Sequence, residues 1–452
     1  MAILSWVLIA GSVVRTAQAA LDIIPGATWT ATNTGKPVHA HGAGVIEVNG
    51  TFYLIGEDKT DGTLFQNVNC YSSKNLVEWT YEGALLSRTD ENGDLGPNRI
   101  VERPKVLYNE KTAKYVMYFH ADSTDYKDAR VGVATSDTVC GKYSYHHGFR
   151  PLGFESRDMG LFKDDDGSGY LLTEDRSYGT RIMALSDDYL NVTEVTFGFG
   201  GYWAESPAML KKDGHYYVFG SHLTGWDAND NTYSHATSLS GPWSAWTTFA
   251  PVGSKTFHSQ VNYIQPLGPN NAIYMGDRWQ GNDLASSIYI WLPLTFSGNN
   301  VTLEWHDSWR PDTSSGTWSV RAGVTSLEAE AATLGGGAVT IPCSECSGTQ
   351  AAGYVGGCKR GTVTFEGVKS PSAGRKTITI KYGNGTWQPR FANVTVNGSS
   401  QTVAFSSTKQ RWWEAGSASL HCDLNKGSNN IVISTHNGGW GPDVDRLLVP
   451  TD

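Results

Sequence analysis

The chain is 452 residues long, which favours two or three domains over one. With 39% hydrophobic and 17% charged residues it is not a disordered chain and suits a β-rich globular protein. A net charge of -9 without any Lys/Arg cluster argues against a nucleic-acid partner, and beyond the N-terminus no apolar run approaches the ~20 residues of a membrane span.

The N-terminus runs Met1-Ala2-Ile3-Leu4-Ser5-Trp6-Val7-Leu8-Ile9-Ala10 and later Ala17-Gln18-Ala19. A short apolar run followed by Ala-x-Ala predicts a secretory signal over 1–19, cut after Ala19, and hence a secreted, extracellular protein. From 20 to 310 one phrase recurs: a polar residue heads a short apolar strand, then come a turn and an aromatic-rich strand. The heads are His39-Ala40-His41-Gly42, Glu102-Arg103-Pro104, Arg157-Asp158-Met159-Gly160, Ala204-Glu205-Ser206-Pro207 and His258-Ser259-Gln260-Val261. A spacing of roughly 45 to 65 residues suits one four-stranded blade per copy, so an all-β, five-bladed propeller is expected. Its innermost strands would bring Glu102, Asp158, Glu205 and Gln260 around one central pocket. Aromatic residues make up 12% of the chain, which favours sugar binding, because the C–H faces of a pyranose lie against such rings.

Residues 311–323, with Pro311-Asp312-Thr313-Ser314-Ser315-Gly316-Thr317, read as a linker. Residues 324–452 show short alternating strands and frequent Gly turns, the pattern of a β-sandwich of jelly-roll type. No long helix is expected anywhere. The six cysteines, Cys70, Cys140, Cys343, Cys346, Cys358 and Cys422, should pair in an oxidising compartment, with three pairings open to the four in the C-terminal region. Asn-x-Ser/Thr sequons begin at Asn49, Asn191, Asn300, Asn384, Asn393 and Asn397.

Glycoside hydrolysis needs a protonated carboxylic acid at the leaving oxygen and a second group opposite it. Glu205, in Tyr202-Trp203-Ala204-Glu205-Ser206-Pro207, is the expected general acid, its carboxyl desolvated by the flanking Tyr and Trp. Asp158, one blade away, would raise the pKa of the acid and orient it. Glu102 is a carboxylate able to deprotonate water, although Arg103 beside it weakens it as a base. Gln260 could orient water or, as its imidic tautomer, accept a proton. Glu57, Arg103, Tyr126, Thr224 and Trp226 are the candidates for holding the terminal sugar.

Ser156-Arg157-Asp158 and Glu205-Ser206-Pro207 resemble motifs of glycoside hydrolase family 43, a family of five-bladed propellers. The first blade of that family normally opens with a general-base Asp, and His39-Ala40-His41-Gly42-Ala43-Gly44 has none. Together with Gly56-Glu57-Asp58, Val101-Glu102-Arg103-Pro104-Lys105 and Ser221-His222-Leu223-Thr224-Gly225-Trp226, this resembles the exo-β-1,3-galactanase branch. The resemblance implies an inverting exo-enzyme that releases galactose from the β-1,3-galactan of arabinogalactans. It implies Gln260 as the group opposite the acid, with roughly 6.5–9.5 Å between acid and water-activating group. Two other readings stand beside it: a non-catalytic galactan-binding lectin, and an arabinofuranosidase or xylosidase of the same family. His258 could sit beside an axial cation or be an ordinary core histidine.

In the C-terminal unit, Glu328 and Glu330 on an early strand and Asp445 on the last would converge as a hard-oxygen Ca²⁺ site. Leu327-Glu328-Ala329-Glu330-Ala331 with Asp443-Val444-Asp445-Arg446-Leu447 resembles carbohydrate-binding module family 35, in which such a calcium is structural. No cofactor is required for the chemistry itself. Tyr354, Asn384, Asn437 and Trp440 are the candidate sugar contacts of the module. The expected partner is β-1,3-galactan or arabinogalactan, acted on by a monomer that engages neither nucleic acid nor membrane.

Overall fold

A computed structural model of the protein describes residues 21–409 and 415–452, so the expected signal lies outside the described residues. Five four-stranded antiparallel sheets follow one another, each a meander of consecutive strands. Their first strands are His41–Val48, Arg99–Asn109, Met159–Lys163, Glu205–Lys212 and Gln260–Leu267. Each packs beside the next and the fifth returns to the first, which closes the ring of the expected propeller. Aromatic and β-branched residues make the strands, as in Thr51–Glu57 and His215–Ser221. Apolar side chains fill the space between neighbouring blades: Val116, Tyr118, Val131 and Val133 of the second meet Met159, Leu161, Leu171 and Met183 of the third.

The heads of these first strands matter most for function. Register slips between His41 and Gly44, Glu102 and Lys105, Glu205 and Ala208, and Val261 and Tyr263. Such a bulge bends the strand and re-aims its side chains. The residue after the head is left-handed in three blades: Gly42 (φ 56°), Arg103 (φ 57°) and Ser206 (φ 52°). At the first of these only glycine fits, because a Cβ on Gly42 would lie 2.1 Å from Glu57 Oε1. Polar contacts seal the fifth blade to the first. Asp277 accepts the Gly42 N–H at 2.6 Å and lies 3.0 Å from His41 Nδ1. The Tyr289 hydroxyl donates to Val38 O at 2.9 Å and accepts from Ala40 N at 2.9 Å.

The C-terminal unit is the expected β-sandwich. One sheet is built around Gly374–Gly383, Gly416–Leu424 and Asp443–Pro450, the other around Thr362–Ser370, Gly427–Thr435 and Arg390–Val396. Ile378, Ile380, Leu420 and Leu447 pack against Val363, Val394, Ile431 and Ile433 to form its core.

The boundaries differ from the sequence reading. The expected linker contains a hairpin, Trp309–Asp312 paired with Thr317–Val320. Its polar tip is a turn and not a flexible tether, since Asp312 Oδ1 accepts the N–H groups of Ser314 and Ser315 at 2.9 and 3.1 Å. Ala27–Thr28 pairs in parallel with Ser417 and Ala418, so the N-terminal arm adds a strand to the sandwich. Buried Asp22 ties the units together: it accepts Arg310 Nε at 2.9 Å, pairs with Arg321, and its N–H donates to Thr377 Oγ1 at 2.9 Å.

The cysteines also differ from expectation. Cys70 pairs with Cys140 and Cys343 with Cys346, while Cys358 and Cys422 carry free thiols. Cys422 is buried in the sandwich core, whereas Cys358 is exposed.

Candidate active site

The blade heads open into a cavity of about 330 Å³. Glu102, Arg103, Tyr126, Asp158, Glu205, Trp226 and Gln260 all line it. Glu205 is 7% exposed, and burial, then the charge of Asp158, push its carboxyl up to about 8 against the pull of Arg103. It therefore carries its proton at neutral pH. Tyr202 stacks on Trp246 at 4.0 Å and Trp203 lies at the surface. The carboxyl is thus desolvated by its place in the pocket wall, not by those two rings.

Arg103 organises the floor. Its Nη2 donates to Gln260 Oε1 at 2.5 Å and lies 3.1 Å from Asp158 Oδ2, and its Nη1 bonds Asn262. Asp158 Oδ2 also accepts the Ser206 N–H at 3.0 Å, which fixes it beside the acid's own strand. Gln260 is held at both ends. Its oxygen takes Arg103 and the Trp279 indole (2.8 Å), and its nitrogen donates to Ser221 Oγ at 2.8 Å and Glu205 Oε2 at 3.3 Å. The amide therefore touches the acid, and the wide separation expected for an inverting pair is not the distance between these two side chains. An oxygen already accepting two bonds also makes a poor proton acceptor.

Glu102 is ionised and locked. Burial works to raise its pKa, but Lys59 at 3.1 Å, His120 and Arg103 together hold it far below the usual carboxylate range. Tyr126 donates its hydroxyl to the same carboxylate at 3.1 Å. Lys59, more than Arg103, is what weakens Glu102 as a base. Ligand atoms of Glu102, His120 and Asp158 lie within 4.8 Å of one another. Lys59 and Arg103 already supply the positive charge that a cation would bring to this cluster.

Two expected sugar contacts stand away from the cavity wall. Glu57 is buried behind Arg103, accepts the Arg103 N–H at 3.0 Å and pairs with Lys59 at 2.6 Å. The Thr224 hydroxyl is spent inside its own loop, on Asp227 O and Asn229 Nδ2. His258 is exposed and borders an adjoining cleft with Lys255 and Trp279, so it is not a core histidine.

Other residues were not foreseen. His120 and Glu174 line the cavity, Ser221 and Asp277 brace it, and Lys105, donating to Gly42 O at 2.6 Å, lies beneath it. Burial, then Arg103, push the Lys105 ammonium down to about 7. A signal for three of them was present: His120, Ser221 and Asp277 each sit on the second strand of their blade, opposite a head, since Glu102 faces His120, Glu205 faces Ser221 and Gln260 faces Asp277.

In the sandwich, Tyr354 and Trp440 are exposed and meet edge to face at 6.1 Å, with Asn437 on the Trp440 loop. Asn384 is not a sugar contact. It is fully buried, its amide donating to Gln388 O and Phe405 O at 3.0 Å each, so it is also closed to a glycan. The acidic trio surrounds the Ser347–Gly348 turn. The Ser347 N–H donates to Asp445 at 3.0 Å, its hydroxyl donates to Glu328 at 3.2 Å, and Glu330 faces Gly348. Glu330 lies beyond the strand Val324–Glu328, and the trio is more widely spread than the Glu102 cluster. One oxygen each of Glu328, Glu330 and Asp445 is buried without a hydrogen-bond donor. Carboxylate oxygens are the donor type that Ca²⁺ takes.

The family model described as "Glycosyl hydrolases family 43" matches residues 36–275. A second, "Alpha-galactosidase, CBM13 domain", matches 362–449; like the family 35 resemblance it denotes a carbohydrate-binding module, under a different family number. The β-D-galactofuranosidase of Aspergillus niger is 30% identical over 232 residues, 45% of this chain and 63% of that protein, so the match spans less than two thirds of that relative. The exo-β-1,3-galactanase of Phanerochaete chrysosporium, solved with galactose, is 39% identical, with 94% of this chain and 99% of that chain covered and a TM-score of 0.68. An exo-β-1,3-galactanase from Clostridium thermocellum is 26% identical, with 94% and 99% covered and a TM-score of 0.63. The family match takes in more than half of the chain, including the heads that carry Glu102, Asp158, Glu205 and Gln260, and the chain accordingly belongs to glycosyl hydrolases family 43.

Proposed function

We propose that this chain is a secreted, monomeric, exo-acting hydrolase that releases galactose with inversion from the β-1,3-galactan backbone of arabinogalactans. The observation that carries the proposal is Glu205: a buried carboxyl, raised to about 8, beside Asp158 in the cavity at the blade heads. The similar solved exo-β-1,3-galactanases, one of them with β-1,3-galactotriose, support galactan as the substrate.

In the mechanism, Glu205 gives its proton to the glycosidic oxygen as the bond to the anomeric carbon breaks. Water attacks that carbon from the opposite face. Glu102 stays ionised on Lys59 and holds sugar hydroxyls together with Tyr126. Gln260 orients the water. Arg103 keeps the amide from turning. The module, through Tyr354 and Trp440, would hold the polysaccharide near the pocket. Ca²⁺ on Glu328, Glu330 and Asp445 would brace the end of the sandwich where the first and last strands meet.

A pentosidase is the second reading, favoured by relatives named as xylosidases and arabinosidases. Sugar release from linear β-1,3-galactan, xylan and arabinan by the full chain and its Glu205→Gln variant separates these. Galactose from galactan alone, lost in the variant, supports the proposal. Pentose release points to the second reading, and binding without release makes the propeller a lectin.

A further inference from the structure

Glu174 is a buried carboxyl of the pocket wall that the mechanism above leaves unused. It is held by backbone bonds to the acid's neighbour: its N–H donates to Asp158 O and its carbonyl accepts from Arg157 N, both at 3.0 Å. The residue is 0% exposed, and neither side-chain oxygen has a hydrogen-bond partner. The Arg176 Nε is 3.5 Å away, on a side chain that is half exposed. Burial pushes the Glu174 carboxyl up to about 7. A carboxyl buried without partners is unfavourable unless something completes its hydrogen bonds. Glu174 faces the substrate cavity, so a substrate hydroxyl is the available partner.

The acid shows which part of the substrate this is. Glu205 Oε2 accepts the Gln260 amide, so the transferable proton belongs on Oε1. Oε1 lies 3.9 Å from Arg176 Nη2. The glycosidic oxygen must approach Oε1 to be protonated, and the sugar beyond that oxygen then meets Arg176 and Glu174. Exposed Trp203 donates its indole N–H to Arg176 O at 3.1 Å and holds this loop at the rim.

We infer that Glu174 and Arg176 form the subsite for the departing sugar, hydrogen-bonding the ring hydroxyls of the second unit of a β-1,3-linked galactoside. This rests on the assignment of Glu205 as the acid. Selectivity for a carbohydrate leaving group follows from it.

The test is calorimetry on the full chain carrying Glu205→Gln, with galactose and β-1,3-galactobiose as ligands. Galactobiose is expected to bind more tightly than galactose. Adding Glu174→Gln or Arg176→Met should weaken galactobiose about tenfold, the loss of one charged hydrogen bond, and change galactose less than about twofold. Equal losses for both sugars would place the pair at the other unit and overturn the inference, as would unchanged galactobiose affinity. Arg176→Met alters a surface side chain and keeps the test decisive if Glu174→Gln fails to fold. Galactose release by the unaltered chain judges the hydrolase reading separately. A chain that binds both sugars but releases none fails that reading while the affinity ratio still decides the subsite, and binding of neither sugar overturns both.

Discussion

Asp158→Asn isolates the electrostatic part of the proposed chemistry. Asparagine keeps the shape and still accepts the Ser206 N–H, now 3.0 Å from Asp158 Oδ2, but removes the negative charge beside the acid. That charge is the second cause, after burial, of the rise of Glu205 to about 8. A charge within about 4–6 Å shifts a carboxyl by about 1–3 pH units, upward when the charge is negative. Here Arg103, 3.1 Å from Asp158, cancels part of the field, so the lower end applies: about one pH unit, or about 1.4 kcal/mol. Arg103 without its partner would act more strongly on Glu205, in the same direction. The sign follows from the role of the group. Glu205 works protonated, so kcat/KM falls as pH rises through its pKa. Lowering that pKa moves the basic limb of the profile from about 8 towards about 7. The assay is kcat/KM against pH on β-1,3-galactobiose for both chains. A limb that stays in place, or moves up, refutes Asp158 as the modulator of Glu205.

Other predictions follow from the rest of the molecule. Asp22→Ala leaves the buried Arg321 guanidinium without its carboxylate and should destabilise by about 3–5 kcal/mol, seen in calorimetry as earlier unfolding of the sandwich. Chelation should lower the melting temperature of the sandwich and added Ca²⁺ restore it, whereas indifference to both would remove calcium from the Glu328, Glu330 and Asp445 site. Trp440→Ala should weaken retention on galactan about tenfold in affinity electrophoresis, because an exposed stacking face is lost; unchanged mobility would discount the Tyr354–Trp440 pair as the binding platform.

The ring of heads was legible in the sequence because each begins a strand after a recognisable turn. Glu102, Asp158, Glu205 and Gln260 could therefore be placed together before any pairing was known. The opposing layer was not, since His120, Ser221 and Asp277 reach the pocket only through the hairpin register, and bulges at the heads shift that register. The role of Glu57 was misread for the same reason: Gly42 lets its carboxylate pass beneath Arg103 instead of into the cavity. The strand that Ala27–Thr28 adds to the sandwich joins residues from opposite ends of the chain, and no local pattern announces it. Asn384 stands in a polar, Gly-flanked stretch that reads as a surface loop, yet its amide caps buried carbonyls.

The central claim is direct displacement by water with Glu205 as acid. Proton NMR of the anomeric signals during the first turnovers on linear β-1,3-galactan tests it most directly, with Glu205→Gln alongside. Early α-galactose, absent with the variant, is the predicted result. Early β-galactose would require a covalent intermediate and a nucleophilic carboxylate close to the acid, and would contradict the account.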